Sequence, residues 1–272
     1  MTETPWFAAP MTAFDLETTG IDVEQDHVVT AAVISLNGFA EPFARTWLAA
    51  VEIDIPEGAE KVHGISTAEA QKNGQSATEV LNEVADLLSA SLREATPIVG
   101  HNVVYDLTLL DRELRRKGLP TLVERSNRQG PVICTRVLDQ HVIQRRRKPP
   151  LREGQTEQDG ARTLRTTAGV YGLGWDEQAA HGAEYDAMQA ARIAYKIGQI
   201  AHTAPAARPG WVQKHSYAFF DDVAGIDMAE LFIRQQQWAA EQAASLEEWL
   251  RQTKPEAVVE RAWPLIPFGG AS

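Results

Sequence analysis

Two carboxylates stand two residues apart in a short segment near the N-terminus, FDLETTG (residues 14–20). In a β-strand the side chains alternate between faces, so Asp15 and Glu17 would point to the same side. Two neighbouring carboxylates on a buried sheet face repel each other and lose hydration, and a divalent cation between them removes both costs. An exposed edge strand could also present the same pair to water. The pair alone therefore leaves a metal site and a solvated strand edge both open.

Two further acids occupy positions where a carboxylate is costly. Asp106 shares a predicted helix face with Leu109, Leu110 and Leu114, and Asp186 shares a stripe with Ala190, Ile193, Ala194 and Ile197. Each acid alone could be a first-turn residue favoured by the helix dipole. Four converging carboxylates would need about two divalent cations to neutralise them. Ligands that are all oxygen favour Mg²⁺ or Mn²⁺, and such sites act on phosphate esters.

A candidate general base precedes the last acid. His181 lies five residues before Asp186, and Gly182 between them permits a loop ahead of the predicted helix. A histidine at this point could reach over the site and take a proton from an attacking water. A surface-loop histidine with no role in the chemistry is the alternative.

The elements that would position these residues alternate between strand and helix patterns. Strands are predicted at residues 12–16, 27–36, 43–48, 97–100 and 132–138, and Asn37-Gly38 is a hairpin signal between the second and third. Helices are predicted at residues 76–93, 104–117, 163–171 and 184–202, and residues 53–64 are predicted to be loop. This order predicts an α/β fold with a mixed five-stranded sheet flanked by helices.

Two segments depart from this pattern. Residues 144–161 are polar, charged and rich in Pro and Gly, which predicts an exposed insertion that is either solvated or a grip on a nucleic-acid strand. Residues 204–210 resemble a linker, and residues 228–250 carry a helical apolar stripe that either packs back onto the protein or docks a partner. We therefore expect a domain over residues 1–203 and a linker with a helical C-terminal extension over residues 204–272.

Composition limits the class of protein. The chain has 272 residues, a net charge of −11, and one cysteine, Cys134, which excludes an internal disulfide or a cysteine-based zinc cluster. We expect Cys134 to be a buried strand residue. Residues 112–165 hold 14 of the 26 Lys and Arg and 6 of the 37 Asp and Glu, so one segment is basic in an acidic chain and permits phosphate binding at one surface. Neither a signal peptide nor an apolar span of membrane length is evident, and we expect a cytoplasmic protein without a membrane partner.

Four segments together resemble a known family. They are FDLETTG (residues 14–20), VHGI (62–65), HNVVYD (101–106) and HGAEYDA (181–187). In order, spacing and chemistry they resemble the DEDDh 3′–5′ exonucleases, the group of the proofreading epsilon subunit of bacterial DNA polymerase III. Tyr105 stands where phenylalanine is commoner in that family. The resemblance covers about residues 11–200 and implies a ribonuclease H-like fold.

The resemblance also implies roles for individual residues. Two Mg²⁺ or Mn²⁺ ions would be held by the four carboxylates: Asp15, Glu17 and Asp186 at the first ion, with Asp15 bridging to the second and Asp106 supporting it. His181 would be the general base. The terminal nucleotide would be contacted by Leu16, Thr18 and His63, and Asn102 would orient the second motif.

The function implied is a metal-dependent 3′–5′ exonuclease that releases nucleoside 5′-monophosphates from single-stranded DNA ends, in proofreading or repair. An RNA exonuclease of the same family is an alternative, because discrimination by contacts to the 2′-hydroxyl cannot be placed from sequence. A polymerase-associated adaptor that acts through the C-terminal helix is a third hypothesis, and it would imply a DNA polymerase partner.

Overall fold

The structure is a computed structural model that describes residues 4–38, 40–146 and 160–269. Its centre is one six-stranded mixed sheet with strand order β4-β3-β2-β1-β5-β6. The strands are β1 (Met11–Thr18), β2 (Val28–Leu36), β3 (Phe43–Ala50), β4 (Gln75–Ser76), β5 (Ile98–Gly100) and β6 (Val132–Cys134). The first three form an antiparallel meander, and β5 and β6 run parallel to β1.

Ten helices surround the sheet in the described part of the chain. They are α1 (Glu57–His63), α2 (Thr67–Asn73), α3 (Ala77–Arg93), α4 (Val104–Arg116), α5 (Leu122–Ser126), α6 (Thr135–Val142), α7 (Leu164–Val170), α8 (Ala183–Ala201), α9 (Gly210–Gln213) and α10 (Met228–Arg251). Side-chain caps mark the starts of some of these helices. Ser66 caps α2 by accepting from the Glu69 N–H, and Thr163 caps α7 by accepting from the Thr166 N–H.

The two long helices α3 and α8 cover opposite faces of the sheet. α8 packs on β1 and β2, whereas the indole N–H of Trp47 on β3 donates to Glu83 of α3 over 3.0 Å. Apolar side chains from both layers close on the strands and are fully buried, among them Phe14, Leu88 and Ile193. The burial of this apolar surface stabilises the sandwich and fixes β1 at its centre.

The predicted α/β mixed sheet flanked by helices is confirmed, with three differences in detail. A sixth strand, the two-residue β4, pairs with β3 and was not predicted. The strand predicted over residues 132–138 ends at Cys134, because the chain turns into α6 and buries Val137 and Leu138 against the core. The predicted loop over residues 53–64 contains α1, whose end is set by Gly64 at φ 76°. Cys134 is buried at the end of β6, as expected.

The C-terminal part of the chain packs back onto the sheet. Arg208, inside the predicted linker, is buried and donates to the carbonyls of Ile200, Ala201 and Thr203 at the end of α8. α10 lies against the edge strand β6, where its Gln235 is buried. This favours the first of the two interpretations of the helical stripe. The domain boundary at residue 203 stays a prediction.

In the described part of the basic insertion Gln144, Arg145 and Gly160 are exposed, as predicted, whereas the side chain of Arg146 is buried. Residues 147–159 lie outside the described residues. Arg146 donates to the fully buried carboxylate of Asp139 over 2.7 Å, and Arg162 pairs with the same carboxylate from the other end of the insertion. Arg145 stacks on Tyr217 at 4.3 Å. Arg146 and Arg162 hold the two ends of the insertion together because both pair with the buried Asp139.

Among the described residues, none of the helices is long and apolar enough to cross a membrane.

Candidate active site

The two carboxylates of β1 meet a third at the start of α8. Asp15 pairs with Ala32 and Glu17 pairs with Thr30 in the register of β1 and β2, so both acids lie on the sheet face that α8 covers. Asp186 stands in the first turn of α8. One carboxylate oxygen from each of Asp15, Glu17 and Asp186 lies within 4.8 Å of the others. The strand pair therefore faces inward against a third acid and is not a solvated edge.

Asp106 approaches the same strand from α4. It stands in the first turn of that helix, is 5% exposed, and its Oδ1 accepts from the backbone N–H of Leu16 over 3.2 Å. This bond fixes the carboxylate beside the residue that separates Asp15 from Glu17. Two of the acids thus come from β1 and one from each of two helix starts, where the dipole partly offsets their charge.

The pKa values of the four carboxyl groups are all raised. Burial is the largest cause in each case, and mutual repulsion adds to it at Asp15 and Glu17. The pKa of Asp15 lies well above its usual range, that of Glu17 rises to about 8, that of Asp106 to about 7 and that of Asp186 to about 6. The pKa of Asp186 rises least, because electrostatic interaction with His181 and a hydrogen bond from the His181 backbone both lower it. The charged forms of these carboxyl groups are therefore disfavoured at neutral pH, as expected where no cation neutralises them.

The residues present fit a divalent cation. The Oδ1 of Asp186 is buried and has no hydrogen-bond partner among the described residues. Such an orphaned oxygen costs free energy unless something positive binds it. The donors are carboxylate oxygens, which suit Mg²⁺ or Mn²⁺ and not softer metals.

His181 stands at the mouth of the site. It is exposed, lies just before α8, and adopts the left-handed region at φ 61°. Together with His63 it lines a cleft of about 790 Å³, whose lining also includes Thr30, the partner of Glu17 in the register of β1 and β2. An exposed imidazole next to Asp186 can accept a proton from a molecule in the cleft and release it to solvent.

The end of β1 is held by contacts around Thr18 and Gly20. The Thr18 hydroxyl lies 2.7 Å from the Gly20 carbonyl and 2.8 Å from the Tyr105 hydroxyl. A Cβ at Gly20 would lie 2.5 Å from a carboxylate oxygen of Asp26, so a larger residue would displace that carboxylate from its bonds to the Thr19 hydroxyl and the Asp22 N–H. Tyr105, the residue that differs from the commoner phenylalanine, thus ties α4 to the strand that carries Asp15 and Glu17.

The predicted substrate residues divide into two groups. Leu16, Thr18 and His63 lie around the acids and the cleft: the ring Nδ1 of His63 accepts from the Ile65 N–H, and its buried Nε2 makes no hydrogen bond of good geometry within the described chain. Burial lowers the pKa of His63, which keeps the ring neutral. Asn102 lies in the turn between β5 and α4. It has φ 67°, and its side chain accepts from Arg136 over 2.7 Å, so it shapes the turn before α4.

Sequence reasoning gave no role to His101 or to the far side of the cleft. His101 is neutral because burial lowers its pKa to about 4, and its ring bonds to the Thr135 hydroxyl and the Arg162 carbonyl. His101 therefore links the second motif to Arg162, which directly follows the basic insertion. Arg192 on α8 and Thr46 on β3 also line the cleft. The spacing of Arg192 and Lys196, four residues apart on one helix, was a signal that could have been used.

Comparison with known proteins agrees with this geometry. The exonuclease (RNase T) family model matches residues 12–194. No curated protein sequence matches the chain significantly.

Among solved structures, the fold is similar to that of exonuclease I. A complex of the E. coli enzyme with a dT13 oligonucleotide has a TM-score of 0.55 at 16% identity, covering 70% of this chain and 41% of that one. The zinc-bound form of the E. coli enzyme with single-stranded DNA gives 0.55 at 17%, covering 70% and 41%. Exonuclease I from Methylocaldum szegediense gives 0.53 at 18%, covering 70% and 40%. The match spans about two fifths of each of these proteins, and at this identity it shows a shared fold.

Proposed function

This chain belongs to the DEDDh exonuclease family, and from that premise we propose that it is a metal-dependent 3′–5′ exonuclease acting on single-stranded DNA ends. The observation that carries the proposal is the meeting of Asp15, Glu17 and Asp186 within 4.8 Å, with Asp106 bonded to the strand between the first two. Four buried carboxylates at one point are costly. A metal-dependent phosphodiesterase needs them to bind its metal ions, whereas an adaptor that only binds a partner does not.

Each residue of the site has a distinct task in the proposed reaction. Asp15, Glu17 and Asp186 would hold one ion, and Asp106 with Asp15 a second. Bound Mg²⁺ or Mn²⁺ supplies Lewis-acid activation of the attacking water and charge stabilisation at the leaving oxygen. His181 takes the proton of that water on a ring nitrogen as the water oxygen bonds to phosphorus. The bond from phosphorus to the 3′-oxygen breaks, the 3′-oxygen takes a proton from solvent, and a nucleoside 5′-monophosphate leaves.

The other residues bind and orient the end of the strand. His63 lines the cleft with a neutral ring, and Thr18 lies at the end of the strand that carries Asp15 and Glu17; we expect both to contact the terminal nucleotide. Tyr105 and Gly20 keep the end of β1 in place, which fixes the separation between the acids and the cleft wall. Such positioning accounts for much of the rate gain expected from a phosphoryl-transfer site.

The test is digestion of labelled oligonucleotides by purified protein with Mg²⁺ or Mn²⁺. The substrates are single-stranded DNA, a duplex with a mispaired 3′ end, and RNA of the same sequence, labelled separately at each end to give the polarity. We expect 5′-monophosphates from the 3′ end of single-stranded DNA and abolished digestion by Asp15→Asn. His181→Asn should lower kcat by about 10²–10⁴-fold, because it removes the base but suits the left-handed backbone.

The matched control is Glu79→Gln, an exposed acid in the first turn of α3 on the other side of the sheet. It should digest DNA at the wild-type rate. Undiminished digestion by Asp15→Asn would refute the proposed site, and faster digestion of RNA than of DNA would favour the RNA exonuclease. The polymerase partner and the cytoplasmic location stay predictions from sequence.

A further inference from the structure

The face of the sheet that carries the acids is only partly covered. Directly paired residues share a face, so Asp15, Ala32 and Thr46 form one row across β1, β2 and β3. Glu17, Thr30 and Leu48 form the next row. α8 packs mainly on β1 and β2, and Thr46 on β3 is exposed. A trough therefore opens between α8 and β3, along the two rows that contain Asp15 and Glu17.

A second cavity continues this trough. The cleft of about 790 Å³ beside the acids and an apolar cavity of about 250 Å³ farther along share Met188 and Arg192 as lining residues. The second cavity also includes Tyr195 and Lys196 of α8. We call the two together the α8 trough, defined by Thr46, Leu48, Met188, Arg192, Tyr195 and Lys196. From Asp186 to Lys196 the helix rises by about 15 Å at 1.5 Å per residue, which is longer than one nucleotide needs.

Two cations stand along the trough with their charge available. Arg192 is exposed and forms no ion pair or side-chain hydrogen bond within the described part of the chain, whereas several other arginines, such as Arg112 and Arg146, pair with acids. Among the residues that the structure describes, the ammonium group of Lys196 has one partner, the side-chain oxygen of Gln199 at 3.1 Å. In a protein of net charge −11, unpaired cations leading away from an acidic site are suited to a polyanion that ends at that site.

We propose that the α8 trough binds the stretch of single-stranded nucleic acid upstream of the 3′-terminal nucleotide, with its phosphates at Arg192 and Lys196. Met188 and Leu48 offer apolar surface to the bases. This inference rests on the proposed function, because that function places the 3′ end of the strand at the acids. The basic insertion is a weaker site in its described part, since Arg146 and Arg162 are held by Asp139.

Binding and cleavage by Arg192→Ala/Lys196→Ala test the proposal. Binding of a labelled ten-nucleotide single strand is measured by anisotropy with Ca²⁺ in place of Mg²⁺ over a series of salt concentrations. Each phosphate contact contributes about 0.7 to the slope of log affinity against log salt for a single strand. The double variant should therefore lower the slope by about 1.4 and raise Kd several-fold. Cleavage of a dinucleotide with Mg²⁺ should fall less than cleavage of the ten-nucleotide strand, because a dinucleotide does not extend along α8 as far as Lys196.

The control is Arg128→Ala/Lys254→Ala, which removes the same charge from two exposed residues, one of them just before β6 at the opposite edge of the sheet. It should keep the wild-type slope. An unchanged slope in the α8 variant, or an equal loss on the dinucleotide and the ten-nucleotide strand, would overturn the inference. A wild-type protein that binds the strand with the expected salt slope but cleaves no substrate would refute the proposed function and still support binding in the α8 trough. Thermal unfolding of each variant confirms that it is folded.

Discussion

At the residue scale, the site is a destabilised group of acids. Asp15, Glu17, Asp106 and Asp186 all have raised pKa values because burial and mutual repulsion disfavour their charged forms. A fold optimised for stability alone would place apolar residues there. The acids persist because charge in a confined place is what a divalent cation requires.

The first prediction concerns the coupling of pH, metal and stability. A carboxyl group with a raised folded pKa binds its proton more tightly in the folded chain than in the unfolded one. Stability is therefore lost as pH rises from about 4.5 through the folded values of about 6 to 8 at Asp186, Asp106 and Glu17. Mg²⁺ should offset this loss and release protons on binding. We expect the rise in Tm caused by Mg²⁺ to be larger at pH 8 than at pH 5.5.

Thermal unfolding with Mg²⁺ and with EDTA at the two pH values measures this coupling. Glu17→Gln should reduce the effect, since the amide neither ionises nor attracts the ion strongly, and Glu79→Gln should not. An equal Mg²⁺-induced shift at both pH values would contradict the raised pKa values, and the absence of a shift at either pH would contradict the metal site.

The sequence reveals these acids but not the residues that hydrogen-bond around them, and the two outcomes have different physical causes. A carboxylate on an apolar stripe is a local contradiction, visible in the spacing of Asp186 from Ala190 and Ile193. The bond from Thr18 to Tyr105 and the bond from Arg136 to Asn102 join residues far apart in the chain and follow no local period. Side-chain partners of this kind depend on the packing of whole elements.

At the element scale, the notable feature is how α10 covers the exposed edge of the sheet. β6 is the last strand on its side and would present unpaired backbone groups. The side-chain oxygen of Gln235 accepts from the Cys134 N–H over 2.8 Å, and its amide donates to the Val132 carbonyl over 2.9 Å. One buried glutamine thus makes the two hydrogen bonds that a neighbouring strand would make.

The second prediction follows from those two bonds. Gln235→Leu keeps the bulk of the side chain but leaves a buried N–H and a buried carbonyl without partners. We expect a loss of about 1–3 kcal/mol in the free energy of unfolding, measured by urea denaturation. Gln237→Ala, an exposed glutamine on the same helix, is the control and should leave the midpoint unchanged. A midpoint for Gln235→Leu equal to that of the wild type would mean that α10 does not cap the edge.

The helices with a clear apolar stripe were predictable, whereas the end of the strand β6 was not. α3, α4, α8 and α10 each appear within about two residues of the predicted bounds. The region from Val132 to Leu138 has strand-like composition throughout, yet it is split between β6 and α6. Burial against α8 and α10 decides that split, and burial is not a property of the segment itself.

At the scale of the whole molecule, the chain closes on itself. After α10 the tail returns to α4: Arg112, 2% exposed, donates to the carbonyls of Ile266 and Pro267, and Phe268 stacks on Arg112 and Arg115. The N–H of Ile266 donates to the Thr108 hydroxyl over 3.2 Å. Contacts over more than 150 positions in sequence leave no local pattern, which is why this region was predicted as an extension. Leu246 and Trp249 remain exposed on α10, and the adaptor role stays a prediction.

The last prediction tests whether the tail supports the site. Thr108 and Arg112 lie on the helix that presents Asp106, so removal of residues 252–272 frees the side of α4 that the tail covers. The buried guanidinium of Arg112 loses two carbonyl acceptors and keeps Glu24 and Asp111. We expect a loss of about 1–3 kcal/mol in the free energy of unfolding and a weaker response of Tm to Mg²⁺, because Asp106 is less firmly placed.

Urea denaturation and a Mg²⁺ titration of Tm measure the two effects. Phe268→Ala isolates the ring from the backbone contacts and should cost about 0.5–1 kcal/mol, as expected for an exposed cation–π pair. Val258→Ala, an exposed tail residue, is its control. If the shortened chain keeps both the wild-type urea midpoint and the wild-type Mg²⁺ response, residues 252–272 are separable from the folding unit that carries the acids. If both fall, residues beyond 203 belong to the same folding unit as the acids, because the helix that carries Asp106 depends on them.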